Sequence, residues 1–181
     1  IGERFGIDQV TARIIRNRDV IGEKAIEKYL HGSRKDFYSP WLLKDMEKAV
    51  AILQEKIENR NRIRIIGDYD IDGVMSTYIL LESLRGLGCD VDMMIPNRIT
   101  DGYGINEHLI EQAWQEGRDT IITCDNGIAA VTQIRKAKDL GMTVIVTDHH
   151  EVPFEDLEGE RKEILPPADA IVNPKQKACS Y

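Results

Sequence analysis

The chain has 181 residues and a formal net charge of −7, from 24 Lys and Arg against 31 Asp and Glu. Its length suits one ordinary domain with a small appendage, and its composition is that of a soluble globular protein. No apolar run approaches the ~20 residues that span a bilayer, and the N-terminus lacks the pattern of a secretory signal. The acidic balance by itself argues against a nucleic-acid partner, because proteins that bind the phosphate backbone usually carry excess Lys and Arg.

The first 62 residues predict a helical segment. They carry 13 basic and 10 acidic side chains, whereas residues 63–181 carry 11 basic and 21 acidic ones. Apolar residues recur at helical spacing, and the stretch 42–57 predicts a long amphipathic helix that begins near Pro40. We expect the segment 1–62 either to cap the remaining domain or to lie along a nucleic acid.

After Arg62, strands alternate with helices. Short apolar strands are predicted at 63–66, 91–95, 120–124, 143–147 and 170–172. Helices are predicted between them at about 73–87, 106–116 and 127–140, with Gly88, Gly117 and Gly141 at their ends. The alternation predicts an α/β domain at 63–181, an open parallel sheet of about five strands with flanking helices. The acidic stretch 151–167 interrupts it and is expected to form a surface loop.

The three cysteines are widely separated and form no Cys-x-x-Cys pair: Cys89, Cys124 and Cys179. Their number and spacing argue against a disulfide framework and against a structural zinc site. We expect free thiols in a reducing cytoplasm, with no membrane association.

Acidic residues follow three of the predicted strands. The first strand runs into Asp68, Asp70 and Asp72, the third into Asp125, and the fourth into Asp148-His149-His150. In an open parallel sheet, ligands bind beyond the carboxyl ends of the strands, so these side chains are expected to meet in one crevice. Converging carboxylates repel one another unless cations lie between them. Since carboxylates with imidazoles suit Mn²⁺, Mg²⁺ or Fe²⁺, the sequence predicts a divalent metal site.

These motifs also have simpler interpretations. An Asp that follows a strand is often a helix N-cap, which applies to Asp72 and Asp125. The spacing from Asp68 to Gly73 matches the start of a calcium EF-hand loop, but this sequence has Ile79 where that loop needs Glu. Residues 70–74 also resemble the nucleophile loop of haloacid-dehalogenase-type phosphatases, which needs a later Lys and a further acidic pair.

The ordered set of motifs resembles the DHH phosphoesterase superfamily and, within it, the bacterial exonucleases specific for single-stranded DNA. The resemblance covers essentially the whole chain and rests on the triplet at 148–150 and on residues 45–49, 67–73, 96–104 and 172–175. It implies a 5′→3′ exonuclease that acts on single-stranded DNA in repair and recombination. It also implies two ions of Mn²⁺ or Mg²⁺ in each complete site.

The resemblance implies a role for each residue of the crevice. Asp68 and Asp70 would bind one metal ion, Asp72 and His149 the second, and Asp125 both. His150 would lie beside the scissile phosphate and stabilise its developing charge. Asp148 would orient a histidine from behind, as carboxylates often do for imidazoles at metal sites.

Four residues are candidates for contact with the substrate. The guanidinium of Arg98 matches phosphate oxygens, and Tyr103 would either stack on a base or pack internally. Asn126 and Gly127 would present backbone N–H groups to phosphate at the start of the following helix, or only cap that helix.

The superfamily has a further acidic motif and an associated C-terminal domain, and the exonucleases add an oligonucleotide-binding fold. Because the 181 residues contain neither this motif nor these two domains, we expect them to be the N-terminal part of a larger enzyme, incomplete for activity alone. Single-stranded DNA is the expected partner, with a single-strand-binding protein or a helicase as further candidates. Two other functions stay open: a DHH phosphodiesterase of short oligonucleotides or cyclic dinucleotides, and a non-catalytic DHH binding module.

Overall fold

The chain forms two compact units in a computed structural model that describes residues 2–102, 104–157 and 159–181. The first unit ends at Ser39. It contains α1 (Gly2–Phe5), α2 (Gln9–Asn17), α3 (Glu23–His31) and a 3₁₀ turn at Arg34–Asp36. Asp8 caps α2 by accepting hydrogen bonds from the backbone N–H groups of Val10 and Thr11.

The second unit, Pro40–Tyr181, is built around a parallel sheet. Its helices are α4 (Met46–Glu58), α5 (Ile71–Gly86), α6 (Glu107–Gln115) and α7 (Val131–Asp139), after a 3₁₀ turn at Pro40–Leu42. The strands of the sheet are β1 (Arg62–Ile66), β2 (Asp90–Met94), β3 (Thr120–Cys124), β4 (Thr143–Thr147) and β7 (Ala170–Val172). They lie in the order β2-β1-β3-β4-β7 and all pair in parallel, which confirms the predicted fold class.

Helices cover both faces of this sheet. Ile121 and Val144 pack on one face with side chains of α6 and α7, and Ile122 and Ile145 pack on the other with side chains of α4 and α5. Neighbouring residues of a strand point to opposite faces, so a central strand such as β3 is buried along its whole length. The apolar runs of the sequence are therefore the interior of the sheet.

The boundary between the two units lies before the boundary at residue 62 predicted from charge and pattern. The reason is the position of α4, whose Ala49 packs in the same core as Ile63 and Val172. No helix among residues 2–102, 104–157 and 159–181 is both long enough and apolar enough to cross a membrane.

Two predicted helix starts are wrong. Helix α4 begins at Met46 because the 3₁₀ turn occupies Pro40–Leu42 and Asp45 has a φ of 61°. Helix α7 begins at Val131, because Gly127 has a φ of 111°, which no α-helix contains. The predicted helix ends agree with the structure: Gly88, Gly117 and Gly141 all have positive φ.

The acidic stretch expected to be a surface loop contains a hairpin instead. Strands β5 (Phe154–Leu157) and β6 (Glu160–Glu163) pair antiparallel. The guanidinium carbon of Arg161 lies 4.1 Å from the ring centroid of Phe154. Nearly all residues of both strands are exposed, so the hairpin has no buried face and shows none of the apolar alternation that reveals a strand.

Strand β7 forms one edge of the sheet, and its outward polar groups are bonded. The backbone N–H of Ile171 donates to the carboxylate of Asp45 at 3.1 Å. The carbonyl of the same residue accepts from the side-chain amide of Gln176 at 2.8 Å. Both side chains therefore take the place of a further strand.

Candidate metal centre

The candidate site lies where the strand order reverses. The chain passes from β1 to β2 on one side of the sheet and from β3 to β4 on the other. In open parallel sheets, ligands bind at this point, beyond the carboxyl ends of the strands. The loops that follow β1, β3 and β4 bring together side chains that are distant in sequence: Asp68, Asp70, Asp125, Asp148, His149 and His150.

These side chains form two groups that share one carboxylate. Ligand atoms of Asp68, Asp70 and Asp125 all lie within 4.8 Å of one another, and so do those of Asp125, His149 and His150. Asp125 is thus the carboxylate common to both groups. Asp72 belongs to neither group among the described residues, although it lines the same groove as His149.

Two glycines bring the loop after β1 against the start of α5. A Cβ on Gly73 would lie 2.4 Å from the carbonyl oxygen of Asp68, and a Cβ on Gly67 would lie 2.0 Å from Oγ1 of Thr77. The close approach buries Asp68 to 1% exposure, and its Oδ1 has no hydrogen-bond partner within the part of the chain that the structure describes. A buried carboxylate oxygen of this kind is ordinarily satisfied by a hydrogen-bond donor or a bound cation.

Asp70, rather than Asp72, caps α5. Its Oδ1 accepts a hydrogen bond from the backbone N–H of Gly73 at 2.9 Å, and this bond lowers the pKa of Asp70. The simpler interpretation of Asp72 as an N-cap is therefore wrong, since it lies within the first turn of the helix.

Asp125 does not cap a helix either, because the N-cap of α7 is Ala130. Its φ of 61° is unusual for a residue other than glycine. The side chain is 4% exposed, and its Oδ1 lies 2.8 Å from Nε2 of His149. Burial, together with the neighbouring Asp70, raises the pKa of Asp125. A cation between these carboxylates would favour their ionised forms.

Asp148 supports the two histidines from behind. Its Oδ1 accepts hydrogen bonds from Nδ1 of His150 at 2.7 Å and from the backbone N–H groups of His149 and His150 at 2.7 and 3.1 Å. Its Oδ2 accepts from the N–H of Ile128 at 2.9 Å. The hydrogen bond to Asp148 raises the pKa of His150, against the opposing effect of burial.

Two of the residues predicted to contact the substrate are Arg98 and Tyr103. The guanidinium carbon of Arg98 lies 5.3 Å from the ring centroid of Tyr69, which stands between Asp68 and Asp70 in sequence. This contact places Arg98 against the loop that follows β1. Sequence reasoning missed Tyr69, and its position inside the acidic motif is the signal that was available. Tyr103 lies outside the described residues.

Asn126 is a buried structural residue rather than a side chain directed at a ligand. Its amide donates to the carbonyls of Ile66 and Cys124 at 3.1 and 3.0 Å, and its Oδ1 accepts from the N–H of Ile105 at 3.3 Å. Gly127 precedes α7 instead of opening it, and a Cβ there would lie 2.5 Å from Oγ1 of Thr123. The predicted position of both residues at a helix start is therefore wrong.

Two cavities adjoin the centre. One, of about 350 Å³, is lined by Gly104, Ile105, Ile128, Gln133 and His150. The other, of about 560 Å³, is a mainly apolar groove lined by Met46, Asp72, Ile79, Leu80 and His149. The first cavity thus reaches His150, and the second reaches Asp125 and His149.

The family assignment agrees with this geometry. A model described as the DHH family, N-terminal domain, matches residues 62–180. The chain belongs to the DHH family.

The DHH chain is similar to single-stranded-DNA-specific exonucleases named RecJ. It is 39% identical over 179 residues to the protein of Bacillus subtilis (strain 168). This alignment covers 99% of this chain and 22% of that relative. It is 37% identical over 171 residues to the Escherichia coli (strain K12) protein. This alignment covers 93% of this chain and 27% of that relative. The predicted resemblance is confirmed, and the chain spans about a quarter of the length of these relatives.

Two solved structures share the fold of the DHH domain. A crystal structure of exonuclease RecJ bound to manganese has a TM-score of 0.66 at 34% identity and covers 78% of this chain and 34% of that chain. The RecJ structure from Thermus thermophilus in complex with Mn²⁺ has a TM-score of 0.63 at 29% identity and covers 87% of this chain and 22% of that chain. Both alignments support the same α/β architecture.

The donor set of this DHH centre fits a hard divalent cation. Three clustered carboxylates with neighbouring imidazoles suit Mn²⁺ or Mg²⁺, and the nearest thiol, that of Cys124, is buried and contacts Oγ1 of Thr77 at 3.3 Å. Burial raises the pKa of the Cys124 thiol, which disfavours the thiolate form that binds metals.

Proposed function

We propose that the protein hydrolyses phosphodiester bonds of single-stranded DNA in the 5′→3′ direction, with Mn²⁺ or Mg²⁺ as cofactor. The observation that carries this proposal is the pair of ligand groups that share Asp125. The similarity to RecJ exonucleases supports the choice of DNA as substrate. The direction of digestion rests on the resemblance of the sequence motifs.

Five side chains would hold the metal ions. Asp68 and Asp70 would bind one ion together with Asp125, and Asp125 would also serve the second ion with His149. Asp72 remains a proposed ligand of the second ion because it lines the groove beside His149. Divalent ions bound there would lower the pKa of a water molecule and offset negative charge on the phosphoryl oxygens.

The protein's own residues would position the scissile phosphate. Asp148 holds the ring of His150 through Nδ1, so contact of that ring with a phosphoryl oxygen would use Nε2. Arg98, stacked on Tyr69, would hold a phosphate of the strand through its guanidinium. These positive groups would face the charge that develops on the phosphoryl oxygens during hydrolysis.

The test uses protein expressed from the complete open reading frame and end-labelled single-stranded oligodeoxynucleotides with Mn²⁺. We expect nucleotide release from the 5′ end and a loss of at least about a hundredfold in Asp125→Ala. Asp139→Ala, a change of an exposed carboxylate at the end of α7, is the matched control and keeps wild-type activity.

Other results would refute the proposal. Wild-type activity in Asp125→Ala would exclude the shared carboxylate from catalysis. Cleavage of dinucleotides or cyclic dinucleotides but not of long strands would indicate a phosphodiesterase of short substrates. Binding of single strands without cleavage at any metal concentration would indicate a non-catalytic DHH module.

A further inference from the structure

The end of β7 is joined to the histidine turn that follows β4. The backbone N–H of Asp148 donates to the carbonyl of Val172 at 3.0 Å, so the two strands stay paired up to the first residue of the turn. The residue that follows β7 is Asn173, which is 0% exposed. Its side-chain amide donates to the backbone carbonyl of His150 at 3.0 Å.

Asn173 is itself held rigidly. Its Oδ1 accepts the backbone N–H of Lys175 at 2.7 Å, and its carbonyl accepts the N–H of Gln176 at 3.4 Å. An ion pair at 2.7 Å between Lys175 and Glu151 joins the segment after β7 to the segment after β4 at the surface. The amide that reaches His150 thus comes from a turn with little freedom to move.

The backbone of His150 is consequently held on both sides of the residue. Asp148 accepts its N–H at 3.1 Å and its ring Nδ1 at 2.7 Å, and Asn173 donates to its carbonyl. Loss of the Asn173 contact would leave the carbonyl end of His150 less firmly tied to the sheet, so that its Cα, and with it the imidazole, could shift. The hydrogen bond from Asn173 thus restrains the backbone that carries the ring.

We propose that Asn173 is a positioning residue that fixes the imidazole of His150 in its working orientation. Its effect on catalysis rests on the proposed phosphodiesterase function, whereas its effect on the ring does not. Displacement of a reacting group by about 1 Å lowers rates by up to about a hundredfold, so one buried amide behind His150 has a measurable influence.

The test compares two buried amides of the same turn, each replaced by an apolar side chain of similar volume. Asn173→Leu removes the donor to His150. Gln176→Met is the matched control, because Gln176 is 3% exposed and donates to the carbonyls of Ile171 and Asn173 without contacting His150. Each variant leaves buried backbone groups without a partner, so the two are expected to lose similar stability.

Two measurements on the complete gene product separate positioning from folding. The ring ¹⁵N signals of His150 are recorded by NMR in metal-free protein, and kcat and KM are measured with Mn²⁺ and a single-stranded oligonucleotide. In Asn173→Leu, we expect shifted ring signals and a fall in kcat of about tenfold to a hundredfold with KM unchanged. In Gln176→Met, the ring signals and kcat stay those of the wild type.

Unshifted ring signals in a folded Asn173→Leu protein would overturn the proposal, and so would equal losses of kcat in both variants. If Asn173→Leu does not fold, Asn173→Ser gives the same comparison, because its shorter side chain does not reach the His150 carbonyl. A wild-type protein without exonuclease activity would refute the proposed function alone, since the ring signals are read without substrate.

Discussion

Nδ1 of His150 lies 2.7 Å from Oδ1 of Asp148, whose side chain is only 1% exposed. The same carboxylate accepts the backbone N–H of Ile128, in the turn that precedes α7. One buried charge therefore connects the histidine turn to the loop after β3. This connection gives the Asp of the triplet a structural role behind the cluster of ligand atoms.

Replacement of Asp148 by Asn is expected to lower the pKa of His150 toward its ordinary value. The hydrogen bond to the carboxylate raises this pKa in the folded protein, and the neutral amide removes the charge that favours the imidazolium. NMR titration of the metal-free protein measures the change. Glu151→Gln, which alters an exposed carboxylate paired with Lys175, is the control. An unchanged pKa in Asp148→Asn would contradict this account.

Replacement of Gly73 by Ala is expected to destabilise the fold by about 2 kcal/mol and to weaken Mn²⁺ binding. The new Cβ would meet the backbone of Asp68 at 2.4 Å, so α5 must move away from the metal-binding loop. Gly86→Ala, at the other end of α5, meets no atom within 4 Å and is expected to stabilise by about 0.5–1 kcal/mol. Denaturant unfolding and calorimetric Mn²⁺ titration test both variants. Equal effects at the two glycines would refute the argument from close packing.

Arg64 is expected to contribute about 2 kcal/mol to the stability of the sheet. Its buried guanidinium donates to both oxygens of Asp92, at 2.8 and 2.6 Å, and to Glu116 at 2.5 Å, and these bonds raise its pKa. Arg64→Met removes this cation from Glu116 and from Asp92, although Asp92 keeps its ion pair with Arg118 at 2.7 Å. Arg85→Met removes only an exposed pair with Glu82 and is expected to change stability by less than about 0.5 kcal/mol. Urea unfolding of both variants gives the comparison, and a similar small loss in each would show that burial of Arg64 adds nothing.

Asp169 is expected to make stability depend on pH. Burial raises the pKa of this carboxyl. Hydrogen bonds from Lys138 at 2.6 Å and from the N–H of Val144 at 2.7 Å lower it by more than burial raises it, so the pKa lies below the ordinary value. A lowered pKa stabilises the fold at neutral pH, and this contribution disappears as the pH falls through the pKa of the folded state. Asp169→Asn should therefore lose about 1 kcal/mol at pH 7, and the difference from the wild type should shrink as the pH falls below the ordinary carboxyl pKa and through the lowered pKa of the folded state. A difference that does not vary with pH would disprove the linkage.

Replacement of Arg98 by Ala is expected to weaken binding of single strands and to reduce its salt dependence. One lost phosphate contact lowers the slope of log affinity against log salt by about 0.7 for a single strand. Fluorescence anisotropy with Ca²⁺ in place of Mn²⁺ measures binding without turnover, and Arg85→Ala is the control. An unchanged slope would show that Arg98 contacts no phosphate.

The sequence was sufficient to predict the sheet because the apolar runs of its central strands are buried on both faces. The same reasoning predicted which strand ends carry the clustered carboxylates and histidines, since parallel strands place their carboxyl ends together. It did not predict the hairpin Phe154–Leu157 and Glu160–Glu163, whose two faces are both exposed. It also missed the roles of Gly73 and Asn173, because close approach and burial depend on contacts between segments that are distant in sequence.

The bonded edge at β7 has a consequence for assembly. With Asp45 and Gln176 occupying the outward groups of Ile171, a strand from another molecule finds no donor or acceptor there. The opposite edge, β2, carries the charged side chains of Asp90 and Asp92, which are ion-paired with Arg62, Arg64 and Arg118, and charged side chains on an edge strand disfavour pairing with another strand. Both rims of the sheet thus resist strand-to-strand stacking, which lowers the tendency of this domain to aggregate through its edges.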